Sequence, residues 1–179
     1  MFDLPSTITI SGIEYPVRTD FRVILEIFVM LDDPDLTDAD KTEALLCMFF
    51  IERPPDTEAA LQAFTDFVDP RQGQKKERKK QSPFISWSQD FDLMVAPINH
   101  ILGFECRSAN YLHWRTFLAA YLEIPPESVF ARVLRIREKL RTGKKLEKYE
   151  RTWYSKNRDL VHLRPKLSKA EEELIEAWT

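Results

Sequence analysis

The segment Tyr111-Leu112-His113-Trp114-Arg115-Thr116-Phe117-Leu118-Ala119-Ala120-Tyr121-Leu122 sets Trp114, Phe117, Leu118, Tyr121 and Leu122 at i, i+3, i+4, i+7 and i+8. That spacing is one face of an α-helix. Aromatic side chains bury large areas, so such a helix is one that its neighbours pack on. The segment predicts a central core helix. Glycine scarcity points the same way. With 4 Gly in 179 residues, the chain lacks the tight-turn residues that a sandwich or barrel needs. It also lacks a Gly-rich phosphate loop or dinucleotide fingerprint.

The N-terminus departs from this helical pattern. Thr7-Ile8-Thr9-Ile10, Ser11-Gly12 and Ile13-Glu14-Tyr15-Pro16-Val17 read as a β-hairpin. Two strands are marginal in water, so the hairpin must lie on helices or pair with another chain, and Pro16 confines its strand to an edge. Asp20 is positioned to cap a first helix with the stripe Phe21, Ile24, Leu25, Phe28 and Leu31, ended by Asp32-Asp33-Pro34. Thr37 and Asp40 form a capping-box pattern for a second, running to about Phe50. A third spans about Thr57 to Val68, with Ala60, Leu61, Phe64, Phe67 and Val68 inward. Ser88 is the expected cap of a fourth, with Phe91, Met94, Val95, Ile98 and Leu102 buried, Pro97 as an internal kink and Gly103 as its stop. The aromatic helix is fifth. A sixth carries Val129, Val133, Ile136 and Leu140 and stops at Gly143. Leu146, Tyr149 and Trp153 mark a seventh. Ser168 and Glu171 form a capping box for a last short helix ending in Trp178.

These elements predict a mainly α protein, a helical bundle of about six to eight helices with a small N-terminal β-hairpin. Hydrophobic content of 44% and charged content of 31% fit a globular chain. The expected organisation is one helical domain over residues 1–160, followed by a C-terminal tail, 161–179, with a short helix. Within the domain, an acidic half, 1–69, and a basic helical half, 84–160, flank a basic loop, 70–83. Residues 1–69 carry 4 basic and 15 acidic side chains, and residues 70–179 carry 22 and 14. Such asymmetry suggests complementary surfaces within one molecule or between copies. Cys47 and Cys106 are expected as two buried thiols rather than a disulfide. No leader or membrane-spanning run is visible, so the expected location is the cytoplasm, with no membrane partner.

Reactive constellations are absent. His100, His113 and His162 have no zinc-ligand spacing. Asp33, Asp35, Thr37 and Asp38 resemble a calcium loop only faintly, because Asp38 and Ala44 stand where Gly and Glu are required. No nucleophile elbow occurs. His113 reads as a satisfied histidine at the edge of a core helix. The expectation is a non-enzyme with no metal and no cofactor. Basic features remain: Lys75, Lys76, Arg78, Lys79 and Lys80 in the loop, and 11 basic against 3 acidic residues between Arg132 and Arg158. These are candidate contacts to phosphate or to an acidic partner. Tyr149, Trp153 and Tyr154 interleave with the second set, as on some nucleic-acid surfaces. A nucleic-acid binder using 71–80 and 132–158 is thus an alternative, although net charge of −3 and the lack of a helix-turn-helix signature argue against nucleic acid as the partner.

Four short motifs carry a resemblance: Thr19-Asp20-Phe21-Arg22, Phe91-Asp92, Leu112-His113-Trp114-x-x-Phe117 and Arg135-Ile136-Arg137-Glu138-Lys139. In this order, after a hairpin, they resemble the bacteriophage gene-product-fifteen family of phages and prophages, over roughly residues 4–158. Gly103-Phe104-Glu105-Cys106 departs from the family pattern, which has a longer acidic segment with a Tyr-Gly there. The resemblance implies a non-enzymatic tail morphogenesis protein of the bacterial host cytoplasm. Specifically, it implies an assembly chaperone that binds the tape-measure protein, with the tail tube protein as a further partner. Self-association is a separate expectation, drawn from the charge asymmetry and the C-terminal helix. A minor virion structural protein is a second alternative. The partner-binding candidates are His113, Trp114, Arg115, Arg135, Arg137, Trp153 and Trp178.

Overall fold

A computed structural model describes residues 3–69 and 84–176. The basic loop with Lys75, Lys76, Arg78, Lys79 and Lys80 lies outside the described residues, as does Trp178. The expected fold class holds. Strands β1 (Thr7–Ile10) and β2 (Ile13–Pro16) precede helices α1 (Phe21–Leu31), α2 (Asp38–Phe49), α3 (Thr57–Val68), α4 (Trp87–Leu102), α5 (Trp114–Leu122), α6 (Val129–Arg141), α7 (Lys148–Lys156), α8 (Arg158–Val161) and α9 (Lys169–Glu176). The chain divides into two compact units. The first comprises Met1–Lys79, Asn110–Leu118 and Lys166–Thr179, and the second comprises Lys80–Ala109 and Ala119–Pro165.

In the first unit, β1 and β2 pair antiparallel with Ile10 opposite Ile13 and Thr7 opposite Pro16. Ser11 and Gly12 both have positive φ, 51° and 81°, the signature of a type I′ turn whose twist suits a two-residue hairpin. The hairpin lies on helices, with β1 packed against α3. Pro16 lacks an N–H, yet its carbonyl accepts from Ile51 N at 3.0 Å, and Arg18 N donates to Phe49 O at 2.8 Å. The Arg18 guanidinium also donates to the Cys47, Met48 and Phe50 carbonyls at the end of α2, where a cation complements the helix dipole.

The helix starts follow local chemistry. Asp20 accepts from Arg22 N at 2.9 Å. Thr37 and Asp40 close the expected capping box, and Asp56 caps α3 through Ala59 N. The apolar faces then meet in one aromatic cluster. Phe21 stacks on Phe117 with centroids 4.5 Å apart, and Trp114 lies 5.8 Å from Phe117 and 5.7 Å from Phe28. Phe49 touches Phe50, Phe64 and Phe67. Each such pair contributes roughly 0.5–1.5 kcal/mol beyond area burial.

In the second unit, α4 packs on α6, and α8 packs on both α6 and α7. Four expectations need correction. First, α4 starts after Ser86, not Ser88, and the Ser86 hydroxyl makes no capping bond to the helix; Asp90 accepts Ser86 N at 2.9 Å and fixes the start two residues earlier. Second, α6 buries Phe130, Val133, Ile136 and Arg137, while Val129 and Leu140 are exposed. An arginine in a core position turns the stripe by one residue. Third, Cys47 is exposed rather than buried, although both cysteines are free. Fourth, Leu122 lies half exposed at the end of α5, and Ala120 is buried instead. Helix α4 continues through Pro97, and Gly103 ends it in the left-handed conformation at φ 77°. At the segment that departs from the family pattern, a 3₁₀ turn, Cys106–Ser108, makes the connection. Glu105 caps that turn and is itself held by Asn99.

Candidate functional site

The motifs behind the resemblance are joined in space. Thr19-Asp20-Phe21-Arg22 and Leu112-His113-Trp114 cross as a short antiparallel bridge. Phe21 N donates to Leu112 O at 2.9 Å, and Trp114 N donates to Thr19 O at 2.7 Å. The Tyr111 and Thr19 hydroxyls lie 2.6 Å apart. Asp20 also accepts from Leu112 N and forms a two-point pair with Arg22, whose guanidinium reaches Asn110 O. Burial by itself would raise the Asp20 carboxyl pKa. The hydrogen bonds from Arg22 and Leu112 outweigh it and hold the group below its usual range.

His113 closes this latch. Its Nδ1 accepts from Arg115 N at 3.0 Å, making the imidazole the cap of α5. The remaining ring hydrogen therefore sits on Nε2, which donates to Pro5 O at 3.0 Å. Trp114 Nε1 donates to Val68 O at 3.1 Å. Both side chains are buried, 4% and 2% exposed, and every polar atom they own is used within the unit. Of the partner-binding candidates on this segment, only the half-buried Arg115 reaches the surface, with its guanidinium 5.9 Å from the Phe67 ring.

The Arg135-to-Lys139 motif is divided between surface and interior. Arg135 is exposed and donates to Pro126 O. Arg137 is buried and uses all five guanidinium hydrogens. Two go to Asp90 at 2.7 and 2.8 Å, and the others go to the Phe84, Leu160 and Val161 carbonyls. Lys139 donates to both oxygens of Glu150 at 2.8 and 2.7 Å. That hydrogen bond raises the lysine pKa. Glu150 is only 1% exposed. Burial pushes its carboxyl up, but Lys139 and the Glu147 backbone N–H bring it below the ordinary value. Asp90 and Glu150 were not legible as important residues. Their only sequence signal is an acid on an otherwise apolar helix face.

The outer face of α7 is open. Lys148, Tyr149, Thr152, Trp153 and Lys156, all on α7, line a shallow, open groove of about 600 Å³. Tyr149 is 61% exposed, and the Arg132 guanidinium lies 5.4 Å over the Trp153 ring. Among the described candidate residues, Trp153 is set in this open face, and Arg137 borders cavities of the second unit. A second cavity, of about 360 Å³, lies beside the Asp90–Arg137 pair and is bordered by Gln89, Asp159, His162 and Arg164. Among the described residues no cluster of His, Cys, Asp or Glu has the makings of a metal site. No described helix is long and apolar enough to cross a membrane.

A family model for the Bacteriophage Gp15 protein matches residues 1–163. The chain belongs to that family. Neither the curated proteins nor the solved structures include a match. In this Gp15-family protein, the segments that carry the resemblance are chiefly the ones that lock each unit's interior. Thr19-Asp20-Phe21-Arg22 and His113-Trp114 join the hairpin region to α1, α3 and α5, and Arg137 and Lys139 join α6 to α4, α7 and α8. The membership identifies a phage-related protein, and the match runs past the end of α8.

Proposed function

We propose that this protein is a non-enzymatic tail morphogenesis factor, an assembly chaperone that holds the tape-measure protein in the host cytoplasm until the tail tube polymerises around it. The observation that carries the reading is the family match over residues 1–163. The structure is compatible with it in one respect. The buried ionisable side chains Asp90, Arg137, Glu150 and His113 are engaged by internal partners, while an aromatic, basic-edged groove on α7 stays open. A client helix needs such a groove rather than an active site.

The test is co-expression of the tagged chain with fragments of the tape-measure protein and with the tail tube protein, followed by affinity capture. Co-purification of a tape-measure fragment is the expected outcome. Binding to neither tail protein sinks the proposal. Mass spectrometry of purified particles separates a chaperone, absent from the mature tail, from a minor virion component. Steeply salt-dependent binding to DNA would point instead to the nucleic-acid alternative.

A further inference from the structure

We infer that the groove on α7 receives the C-terminal helix α9 of a second copy of this chain, so that two copies associate reciprocally. The groove has an aromatic floor, Tyr149 and Trp153, and cationic edges, Lys148 and Lys156, with Arg132 over the Trp153 ring. The acids of α7 do not offset that charge. Glu150 points inward to Lys139, and Glu147 is held in the capping box at the helix start. The surface therefore fits a short helix with an apolar side and an acidic side.

The chain carries such a helix. Lys169–Glu176 holds four glutamates and one lysine. In the sequence, Ala170, Leu174 and Trp178 recur at i, i+4 and i+8, with Glu172, Glu173 and Glu176 on the other side of the wheel. A helix this short is marginal without a surface to pack on. Leu174 on α9 and Tyr149 in the groove are each 61% exposed. Pairing of two copies satisfies both surfaces at once, and two-fold exchange closes the assembly rather than propagating it.

The test is the oligomeric state of the full chain by sedimentation velocity across a concentration series. Two charge-reversed variants accompany it, Lys148→Glu with Lys156→Glu and Glu173→Lys with Glu176→Lys. All four side chains are exposed, so circular dichroism should be unchanged. The wild type is expected to dimerise with rising concentration. Each variant alone should weaken the dimer at least about tenfold, which is roughly 1.4 kcal/mol. An equimolar mixture of the two variants should recover it, because each groove again meets a tail of opposite charge. A wild type that stays monomeric at high micromolar concentration overturns the inference. So does a dimer indifferent to both variants, or a mixture that does not recover. Deleting residues 166–179 gives an independent arm, for which a monomer is expected and a persisting dimer counts against the inference.

Discussion

Arg137 and Asp90 face each other fork to fork, with nitrogen–oxygen distances of 2.7 and 2.8 Å, although 47 positions separate them in the chain. Both side chains are almost fully buried. Three backbone carbonyls take the remaining guanidinium hydrogens, so the arginine ties α4, α6 and α8 at one point. A buried pair gives little net stability against a well-packed apolar substitute, but losing one partner leaves an uncompensated charge. Asp90→Ala is therefore expected to cost about 3–5 kcal/mol in urea unfolding. Asp90→Leu combined with Arg137→Met should restore only part of that, because the Ser86 N–H and three backbone carbonyls lose their partners. Arg137→Lys should not act conservatively, since three ammonium hydrogens cannot reach five acceptors held by a planar fork.

The aromatic cluster of the first unit predicts a different pattern. Trp114→Ala and Phe117→Ala should each destabilise by roughly 3–5 kcal/mol. Because the two rings lie 5.8 Å apart, the double variant should lose less than the sum. Equal and additive losses in chemical denaturation would show that the rings act independently.

Glu150 gives a pH dependence with a defined sign. Its folded pKa lies below the ordinary 4.5, so its contribution is fully present above that value and is lost as pH falls through the folded pKa. Unfolding midpoints measured from pH 7 downward should drop below about pH 4.5 in the wild type. Glu150→Gln should be less stable at pH 7, with the gap narrowing in acid. A gap that stays constant across the series would argue against the ion pair as its origin.

The hairpin turn is a place to gain stability. Ser11 holds φ 51°, a region that Asn adopts more readily than Ser, and Asn-Gly is the preferred type I′ pair. Ser11→Asn should raise the thermal midpoint, with a gain of about 0.5 kcal/mol. Gly12→Ala should lower it by about 1 kcal/mol, purely through backbone strain, since a Cβ there meets nothing within 4 Å.

The helix starts at Asp20, Thr37 and Ser168, the stops at Gly103 and Gly143, and the hairpin were legible because each depends on neighbours a few residues away. The partners of Arg137 and Lys139 were not. Periodicity reports that a face is apolar, not which distant acid will meet a cation placed on it. The same gap explains α6. Val129 and Leu140 complete a regular stripe on paper, but the Asp90 carboxylate draws Arg137 inward and turns Phe130 to the core. In the sequence, His113 reads as an edge histidine and as a partner contact. Its role as the cap of α5 depends on Pro5, 108 positions away. The groove was only partly legible. The interleaving of Tyr149 and Trp153 with basic residues was visible, but that Glu150 turns away from them was not.

The discontinuity of the first unit bears on how the protein is born. Its hairpin and first three helices leave the ribosome well before Trp114 and Phe117, which fill the space between Phe21 and Phe28. At ~5–20 residues per second, the nascent chain waits on the order of seconds with that aromatic surface uncovered. During this interval the nascent chain is itself prone to aggregate. A stop codon placed after α3 and before residue 114 would make that state permanent, yielding a fragment with the first three helices but without the wedge that closes them.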